Sequence, residues 1–241
     1  MSMKKSKKRA LLLTAAVVLV LILACGIYVG DYYRAEAVVM TVPDSVYVEV
    51  TDDRKVFIPE DPVAGLIFYP GGKVEYTAYT PLMAKLAEEN VLCVLLEMPL
   101  NLAVLDRNAA EGIPEQFPEV ERWYLAGHSL GGSMAASFAG ENTDTYEGLI
   151  LLAAYSTEDL RESGLKVCSL YGDRDGVLNM EKYETYRPNL PEDTLEQVLE
   201  GGNHAGFGSY GPQEGDGIST LEPGVQLTWT ADRICECILG G

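Results

Sequence analysis

The sequence predicts an α/β fold in which a mainly parallel sheet is covered by helices on both faces. Strand-like and helix-like stretches alternate over most of the chain after residue 45, as they do around a parallel sheet. The runs at 65–69 and 91–96 are continuously apolar, which is typical of strands buried on both faces. A third observation is a G-x-S-x-G motif at 127–131, between an apolar run and small helix-forming residues.

Each element can be read from its own stretch of sequence. Alternating or continuous apolar runs predict strands at 46–50, 55–58, 65–69, 91–96, 123–126, 148–153, 167–171 and 194–199. Helical spacing predicts helices at 79–90, 130–140, 181–187 and 225–239. Residues 51–54 read as a hairpin turn, and 100–117 as a helix followed by a loop. The connection from Ala153 to Lys166 is too short for an inserted lid domain, so we expect an open site.

The N-terminus predicts a membrane anchor. Residues 10–30 contain no charged side chain, and as a helix they would reach about 31 Å, roughly one hydrocarbon thickness. Five basic residues precede this run, so the positive-inside rule places residues 1–9 in the cytoplasm as a tail. We therefore expect a single-pass signal anchor at 10–30, a tether at 31–44 and an extracytoplasmic folded domain at 45–241.

Two other interpretations of the N-terminus stay open. A cleaved signal peptide would have an apolar run of roughly 7–15 residues, shorter than this one, and the A-x-A sequence at 35–37 lies beyond the charged Asp31 and Arg34. A lipoprotein signal would end at Cys25, because residues 22–25 loosely match a lipobox. In that case Cys25 would carry the lipid.

Charge and cysteine content argue against several function classes. The formal net charge is −18, and beyond residue 9 the chain has 13 basic against 36 acidic residues, so nucleic acid is not an expected partner. Cys93 and Cys168 lie in apolar runs and read as buried side chains. Cys235 and Cys237 are too closely spaced for a zinc knuckle. We expect no metal and no cofactor, and the sequence does not indicate an oligomeric state.

Ser129, at the centre of the G-x-S-x-G motif, is the candidate nucleophile. A serine hydroxyl needs a base within hydrogen-bond reach, and the chain has only two histidines, His128 and His204. The sharp turn at such a motif points neighbouring side chains in different directions, which disfavours His128. His204 follows the strand-like run at 194–199, at the edge where open α/β sheets build their sites. His204 is therefore the candidate base.

The base needs an acid to orient it, and two aspartates follow the strand at 167–171. We favour Asp175, because Asp173 comes directly after Gly172 and is suited to stabilising that turn. The resulting chain order is serine, aspartate, histidine, which is the order of the α/β-hydrolase arrangement.

Backbone N–H groups are the candidate oxyanion donors. One is that of Leu130, the residue after the nucleophile. The other should come from the loop after Tyr69, where glycines allow a close approach to substrate. Gly72 is the first choice for this donor and Lys73 the second.

The stretch after His204 is glycine-rich and therefore predicted to be flexible. It covers residues 206–217 and holds two aromatic residues, Phe207 and Tyr210. Two placements remain open for these rings, which either line the site or pack against the domain edge.

These motifs resemble those of the α/β-hydrolase superfamily, and most of all a compact bacterial branch near the dienelactone hydrolases. The resemblance implies that Ser129 is the nucleophile, Asp175 the acid and His204 the base. Pro70 departs from the pattern, because many relatives have histidine before the oxyanion glycine. The matching stretches are 68–74, 98–103, 126–132, 171–177 and 201–204.

The resemblance implies a serine esterase that acts on a small-molecule acyl substrate through an acyl-enzyme. Dienelactone hydrolases commonly use cysteine, so serine at 129 favours ordinary ester or amide chemistry. A catalytically silent binding module on the same scaffold is the first rival. A thioesterase, peptidase or lipase of the same fold is the second.

Overall fold

The computed structural model describes residues 12–20, 23, 25, 26, 28, 30–37, 42, 43 and 45–240. Eight strands are present within these residues: β1 Val46–Val50, β2 Arg54–Pro59, β3 Ala64–Tyr69, β4 Val91–Leu96, β5 Trp123–His128, β6 Gly148–Leu152, β7 Lys166–Gly172 and β8 Leu195–Leu199. Four α-helices lie between or after these strands: α1 Thr80–Glu88, α2 Leu130–Glu141, α3 Met180–Tyr186 and α4 Val225–Leu239. Their bounds lie within a few residues of those predicted.

All eight strands form one sheet, in the order β1-β2-β4-β3-β5-β6-β7-β8. β1 and β2 pair antiparallel, and β2 joins β4 antiparallel, while every pairing from β4 to β8 is parallel. Because these six strands run in the same direction, their carboxyl ends meet at one edge of the sheet. The G-x-S-x-G motif and the loops after β7 and β8 all lie at that edge.

The central strands are buried on both faces, and successive side chains enter different cores. In β3, Leu66 and Phe68 belong to a core formed with α1 and α4, whereas Ile67 and Tyr69 belong to a core formed with α2. This alternation follows from the two-residue period of a strand. It explains why continuous apolar runs, rather than alternating ones, identified these strands.

The predicted helix within 100–117 is wrong. The segment forms three short 3₁₀ turns at Pro99–Asn101, Ala103–Leu105 and Pro114–Gln116. Leu100 and Asn101 have φ values of 55° and 56°, in the left-handed region. A backbone in that region cannot continue a right-handed helix, so no long helix forms at the start of this segment.

The described residues before β1 divide between two compact units, with the boundary between Tyr32 and Tyr33. Residues 12–20 are helical, and no helix within the described residues is both long and apolar enough to cross a membrane. The predicted basic tail at 1–9 and part of the predicted anchor and tether lie outside the described residues. Tyr33, in the predicted tether, groups with the folded domain, because its N–H donates to the carbonyl of Lys73 at 2.7 Å.

Gly127 in β5 has no space for a side chain. A Cβ there would lie 2.6 Å from the Gly131 carbonyl carbon and the Gly132 nitrogen. We therefore expect Gly127→Ala to lower the free energy of unfolding by about 1–3 kcal/mol, measured by urea denaturation.

Gly140→Ala is the matched control for Gly127→Ala. It lies in α2, and the nearest neighbour of a Cβ there would be a methyl group of Leu160 at 3.2 Å, not backbone. Alanine is also favoured over glycine in helices by up to about 1 kcal/mol, so this variant should be neutral or slightly more stable. A Gly127→Ala midpoint equal to that of wild type would show that the turn tolerates a side chain.

Candidate active site

Ser129 sits at a sharp turn between β5 and α2. Its φ of 54° and ψ of −122° lie in a region that residues with a side chain rarely adopt. The Ser129 N–H donates to the Leu152 carbonyl at 2.9 Å, which ties the turn to β6. The residue is half-buried, at the edge of the sheet where the parallel strands end.

The glycines of the motif allow this turn to form. A Cβ on Gly132 would lie 2.6 Å from the Ala154 Cβ and 2.7 Å from the Gly127 carbonyl oxygen. A Cβ on Gly131 would collide with the carbonyl oxygens of Tyr69 and Pro70. The first turn of α2 can therefore pack closely against the ends of β3 and β5.

Asp175 and His204 meet at the same edge, from the loops after β7 and β8. His204 Nδ1 and Asp175 Oδ2 are 2.8 Å apart, and their side chains are 1% and 2% exposed. Asp175 Oδ1 accepts the N–H groups of Val177 at 2.8 Å and Leu178 at 2.7 Å. A carboxylate held in this way accepts from Nδ1–H, so in the neutral imidazole the lone pair is on Nε2.

Asp173 occupies a different place. Its Oδ1 accepts the Gly201 N–H at 2.7 Å, and its own N–H donates to the Leu199 carbonyl at 3.1 Å. Asp173 therefore joins the end of β7 to the turn after β8. Of the two candidate acids, Asp175 is the one that bonds to His204.

The His204 ring lies beside the residue that precedes Ser129. The ring centroids of His128 and His204 are 4.4 Å apart. Within the described contacts, Asp175 is the hydrogen-bond partner of the His204 ring, and no bond joins its Nε2 to the Ser129 hydroxyl. Hydrogen bonds between a nucleophile and its base are often long before substrate binds.

The loop after β3 has one N–H group available beside Leu130. The Gly71 N–H donates to the Tyr79 hydroxyl at 3.0 Å, and the Lys73 N–H donates to the Asn101 carbonyl at 2.8 Å. No described residue accepts the Gly72 N–H. A Cβ on Gly72 would lie 2.9 Å from a methyl group of Leu130, so the two predicted donors are neighbours.

Tyr79 and His128 connect this loop to the serine turn. The Tyr79 hydroxyl lies 2.8 Å from His128 Nδ1, and it already accepts the Gly71 N–H. Burial raises the pKa of Tyr79, so its protonated hydroxyl donates to His128. Burial, and secondarily the His204 imidazole, lower the pKa of His128 well below its ordinary value of 6.5. His128 is thus a neutral acceptor.

The two aromatic rings of the glycine-rich stretch after His204 are both buried. Phe207 is fully buried, with its ring 5.6 Å from that of His128. Tyr210 is 5% exposed and packs 5.7 Å from the Tyr33 ring. Phe207 therefore packs near His128 and Tyr210 near Tyr33, and both rings belong to the core formed with α1 and α4.

Three polar residues that the sequence analysis did not select also hold the site together. Tyr79 is one of them. Asn203 and Gln226 form another contact, in which the Gln226 side chain donates to the Asn203 carbonyl at 2.7 Å and accepts its N–H at 3.1 Å. These contacts join residues far apart in the chain, so no local pattern marks them. Within the described chain, no cluster of three or more His, Cys, Asp or Glu residues could hold a metal ion.

The neutrality of His128 predicts a pH effect on stability. The unfolded chain binds a proton at this residue below pH 6.5, whereas the native state does not until far lower pH. Below pH 6.5 the free energy of unfolding of wild type should therefore fall more steeply than that of His128→Asn, by about 1.4 kcal/mol per pH unit.

Urea titrations of wild type and His128→Asn, above and below pH 6.5, measure this difference. Asparagine keeps an acceptor for the Tyr79 hydroxyl and does not titrate. Above pH 6.5 the two stability curves should run parallel. Parallel curves below that pH as well would mean that His128 binds its proton in the folded protein.

Comparisons with known proteins agree with this architecture. A family model described as "Alpha/beta hydrolase family" matches residues 65–227. A search of curated proteins by sequence finds no match.

Solved structures share the fold at low identity. TT1662 from Thermus thermophilus has a TM-score of 0.58 and 20% identity, and the match covers 80% of this chain and 98% of that one. A "predicted CIB-like hydrolase" from Thermoplasma acidophilum has a TM-score of 0.57 and 16% identity, covering 78% and 97%. Est1E from Butyrivibrio proteoclasticus has a TM-score of 0.57 and 14% identity, covering 82% and 98%. With the family model matching well over half of its length, the chain belongs to the alpha/beta hydrolase family.

Proposed function

We propose that this chain is a membrane-anchored serine hydrolase that cleaves acyl esters of small molecules. The observation that carries the proposal is the buried 2.8 Å contact between His204 and Asp175, beside the strained turn at Ser129. Nucleophile, base and acid come from the carboxyl ends of three parallel strands, β5, β7 and β8. The aspartate–histidine bond is the contact that the proposed acid and base require.

In the first half-reaction, the Ser129 hydroxyl oxygen attacks the acyl carbonyl carbon. His204 Nε2 takes the hydroxyl proton, and Asp175 stabilises the imidazolium that forms. The carbonyl electron pair moves onto oxygen, and the N–H groups of Leu130 and Gly72 bind that oxyanion. When the tetrahedral intermediate collapses, the carbon–oxygen bond to the leaving alcohol breaks, and His204 returns its proton to that alcohol. The acyl group remains on Ser129.

In the second half-reaction, water replaces the alcohol. His204 Nε2 takes a proton from the water as its oxygen attacks the acyl-enzyme carbonyl. The same two N–H groups bind the second oxyanion. Collapse releases the carboxylic acid, and Ser129 recovers its proton from His204. The residues named here complete this cycle with no other group.

Serine at position 129 favours ordinary ester or amide chemistry, and the resemblance to the dienelactone-hydrolase branch remains a prediction from sequence. Thioesters, amides and lipids pass through the same intermediates, so a substrate panel distinguishes them. The short connection between β6 and β7 gives no apolar lid of the kind that lipases use. A silent binding module would keep the fold and show no turnover on any member of the panel.

We also propose that residues 10–30 anchor the chain in the cell membrane, with residues 1–9 inside and the catalytic domain outside. The support is compositional: an uncharged run of 21 residues preceded by five basic ones. Under this arrangement the substrate is extracytoplasmic.

Variants of the proposed triad test the activity. With a panel of p-nitrophenyl esters of increasing acyl length, the full-length protein should release p-nitrophenol. Ser129→Ala should reduce kcat by about 10⁶-fold, and Asp175→Asn by about 10⁴-fold, because asparagine stabilises the wrong imidazole tautomer.

Matched controls are available beside both residues. Ser133→Ala changes another serine of α2, whose hydroxyl donates to the Tyr155 carbonyl. Asp173→Asn keeps the oxygen that accepts the Gly201 N–H. Both should keep kcat within about tenfold of wild type. Turnover that survives Ser129→Ala would refute the proposed nucleophile.

The anchor has its own test. Full-length protein expressed in bacteria should sediment with membranes and resist alkaline extraction. Its intact mass should include residues 1–30, and protease added to spheroplasts should digest the domain beyond residue 45. A mass lacking the first 30 residues or so would indicate a cleaved signal. A chain beginning at lipidated Cys25 would indicate a lipoprotein.

A further inference from the structure

The Asp216 carboxylate lies between the two loops that carry Asp175 and His204. Its Oδ1 accepts the N–H groups of Gly176 and His204, both at 3.1 Å. Its Oδ2 accepts the Ala205 N–H at 2.8 Å. One side chain therefore bonds to the residue after Asp175 and to His204 itself.

The backbone around Asp216 is seated directly on these loops. A Cβ on Gly176 would lie 2.5 Å from the Gly215 carbonyl oxygen and 3.0 Å from the Gly217 nitrogen. The Asn203 side chain donates to the Gly217 carbonyl at 2.9 Å. Residues 215–217 thus pack against both loops. Any side chain at Gly176 would separate them.

The two loops have few other direct bonds to each other. The Arg174 N–H donates to the Gly202 carbonyl at 2.9 Å, and Asp173 accepts the Gly201 N–H. Both contacts lie before Asp175 and His204 in their loops. Asp216 bonds the loops at or beyond these two residues, and hydrogen bonds to a carboxylate are roughly twice as strong as those between neutral groups.

We propose that Asp216 is a positioning residue that fixes the His204 imidazole against Asp175. It does not touch the substrate, and it acts through the backbone of the loops that present these two side chains. Its effect on catalysis rests on the function proposed above, whereas its effect on the geometry of the His204–Asp175 pair does not.

Asp216→Ala and Asp216→Asn, made in the full-length chain, test the catalytic effect. With p-nitrophenyl acetate, Asp216→Ala should lower kcat by roughly 100-fold, as expected for a displaced catalytic group. The KM should stay within about twofold, because the substrate contacts are retained. The decrease in kcat should be smaller for Asp216→Asn. Its amide oxygen still accepts N–H groups, whereas its NH2 group faces the remaining N–H donor and cannot accept from it.

Glu214→Gln is the matched control, because it removes the same charge from the same segment. The Glu214 side chain is exposed, and the contact of this residue is made by its backbone N–H, which donates to the Tyr33 hydroxyl at 3.0 Å. Its kcat and KM should equal those of wild type. If removal of a negative charge alone lowered kcat, then kcat would fall equally in Glu214→Gln.

A second readout does not depend on activity. In ¹⁵N-histidine-labelled protein, the Nδ1–H proton of His204 should give a far-downfield NMR signal because it is bonded to Asp175. The signal should persist in Glu214→Gln and be lost to exchange in Asp216→Ala. If wild type hydrolyses no ester, the proposed function fails, and this signal alone decides the role of Asp216.

The two readouts separate positioning from general stability. A merely structural residue would lower the unfolding midpoint and leave the kcat and the His204 signal of the folded protein unchanged. That result in Asp216→Ala would overturn the proposal. If Asp216→Ala fails to fold, the same result in folded Asp216→Asn would overturn it.

Discussion

The site depends on one strained residue, Ser129, whose backbone turns sharply between a buried strand and a helix. Its φ of 54° and ψ of −122° cost of order 1–3 kcal/mol relative to an ordinary conformation. The surrounding chain maintains this geometry, because it packs so closely against Gly127, Gly131 and Gly132 that a Cβ would not fit at any of them. Strain of this kind, held in place by close packing, presents a hydroxyl at the sheet edge instead of burying it.

The parallel sheet supplies the second constraint. Because β5, β7 and β8 end at the same edge, residues from distant parts of the chain reach the neighbourhood of Ser129 without long loops. The loops are then held by polar side chains. Tyr79 and His128 join the loop after β3 to the turn at Ser129, and Asp216 joins the two loops that carry Asp175 and His204. The Asp216 carboxylate accepts backbone N–H groups at both oxygens, and the tyrosine and histidine are neutral.

Much of the architecture could be predicted from local sequence. Burial on both faces makes the central strands continuously apolar, and the G-x-S-x-G motif marks the turn, so Ser129 and the order of the elements could be inferred. Asp173 directly follows Gly172 and is suited to stabilising that turn, and this position distinguishes it from Asp175. Leu100 could not be placed, since leucine rarely adopts the left-handed backbone that it and Asn101 have here.

Contacts between distant residues account for the rest. Asp216 lies in a glycine-rich stretch whose composition indicates mobility, and only the folded chain brings its carboxylate to four backbone N–H groups. The choice between Gly72 and Lys73 likewise depends on Asn101, which accepts the Lys73 N–H. Sequence patterns report which face of an element is buried, but not which polar groups meet across loops.

The most direct measurement is peptide mapping by mass spectrometry after the full-length protein has reacted with a fluorophosphonate. A nucleophilic serine served by a histidine base forms a stable phosphonyl adduct at its hydroxyl oxygen. The proposed triad predicts one adduct per chain, on Ser129, and none in His204→Ala. An unmodified Ser129, or an adduct on another serine, would contradict it.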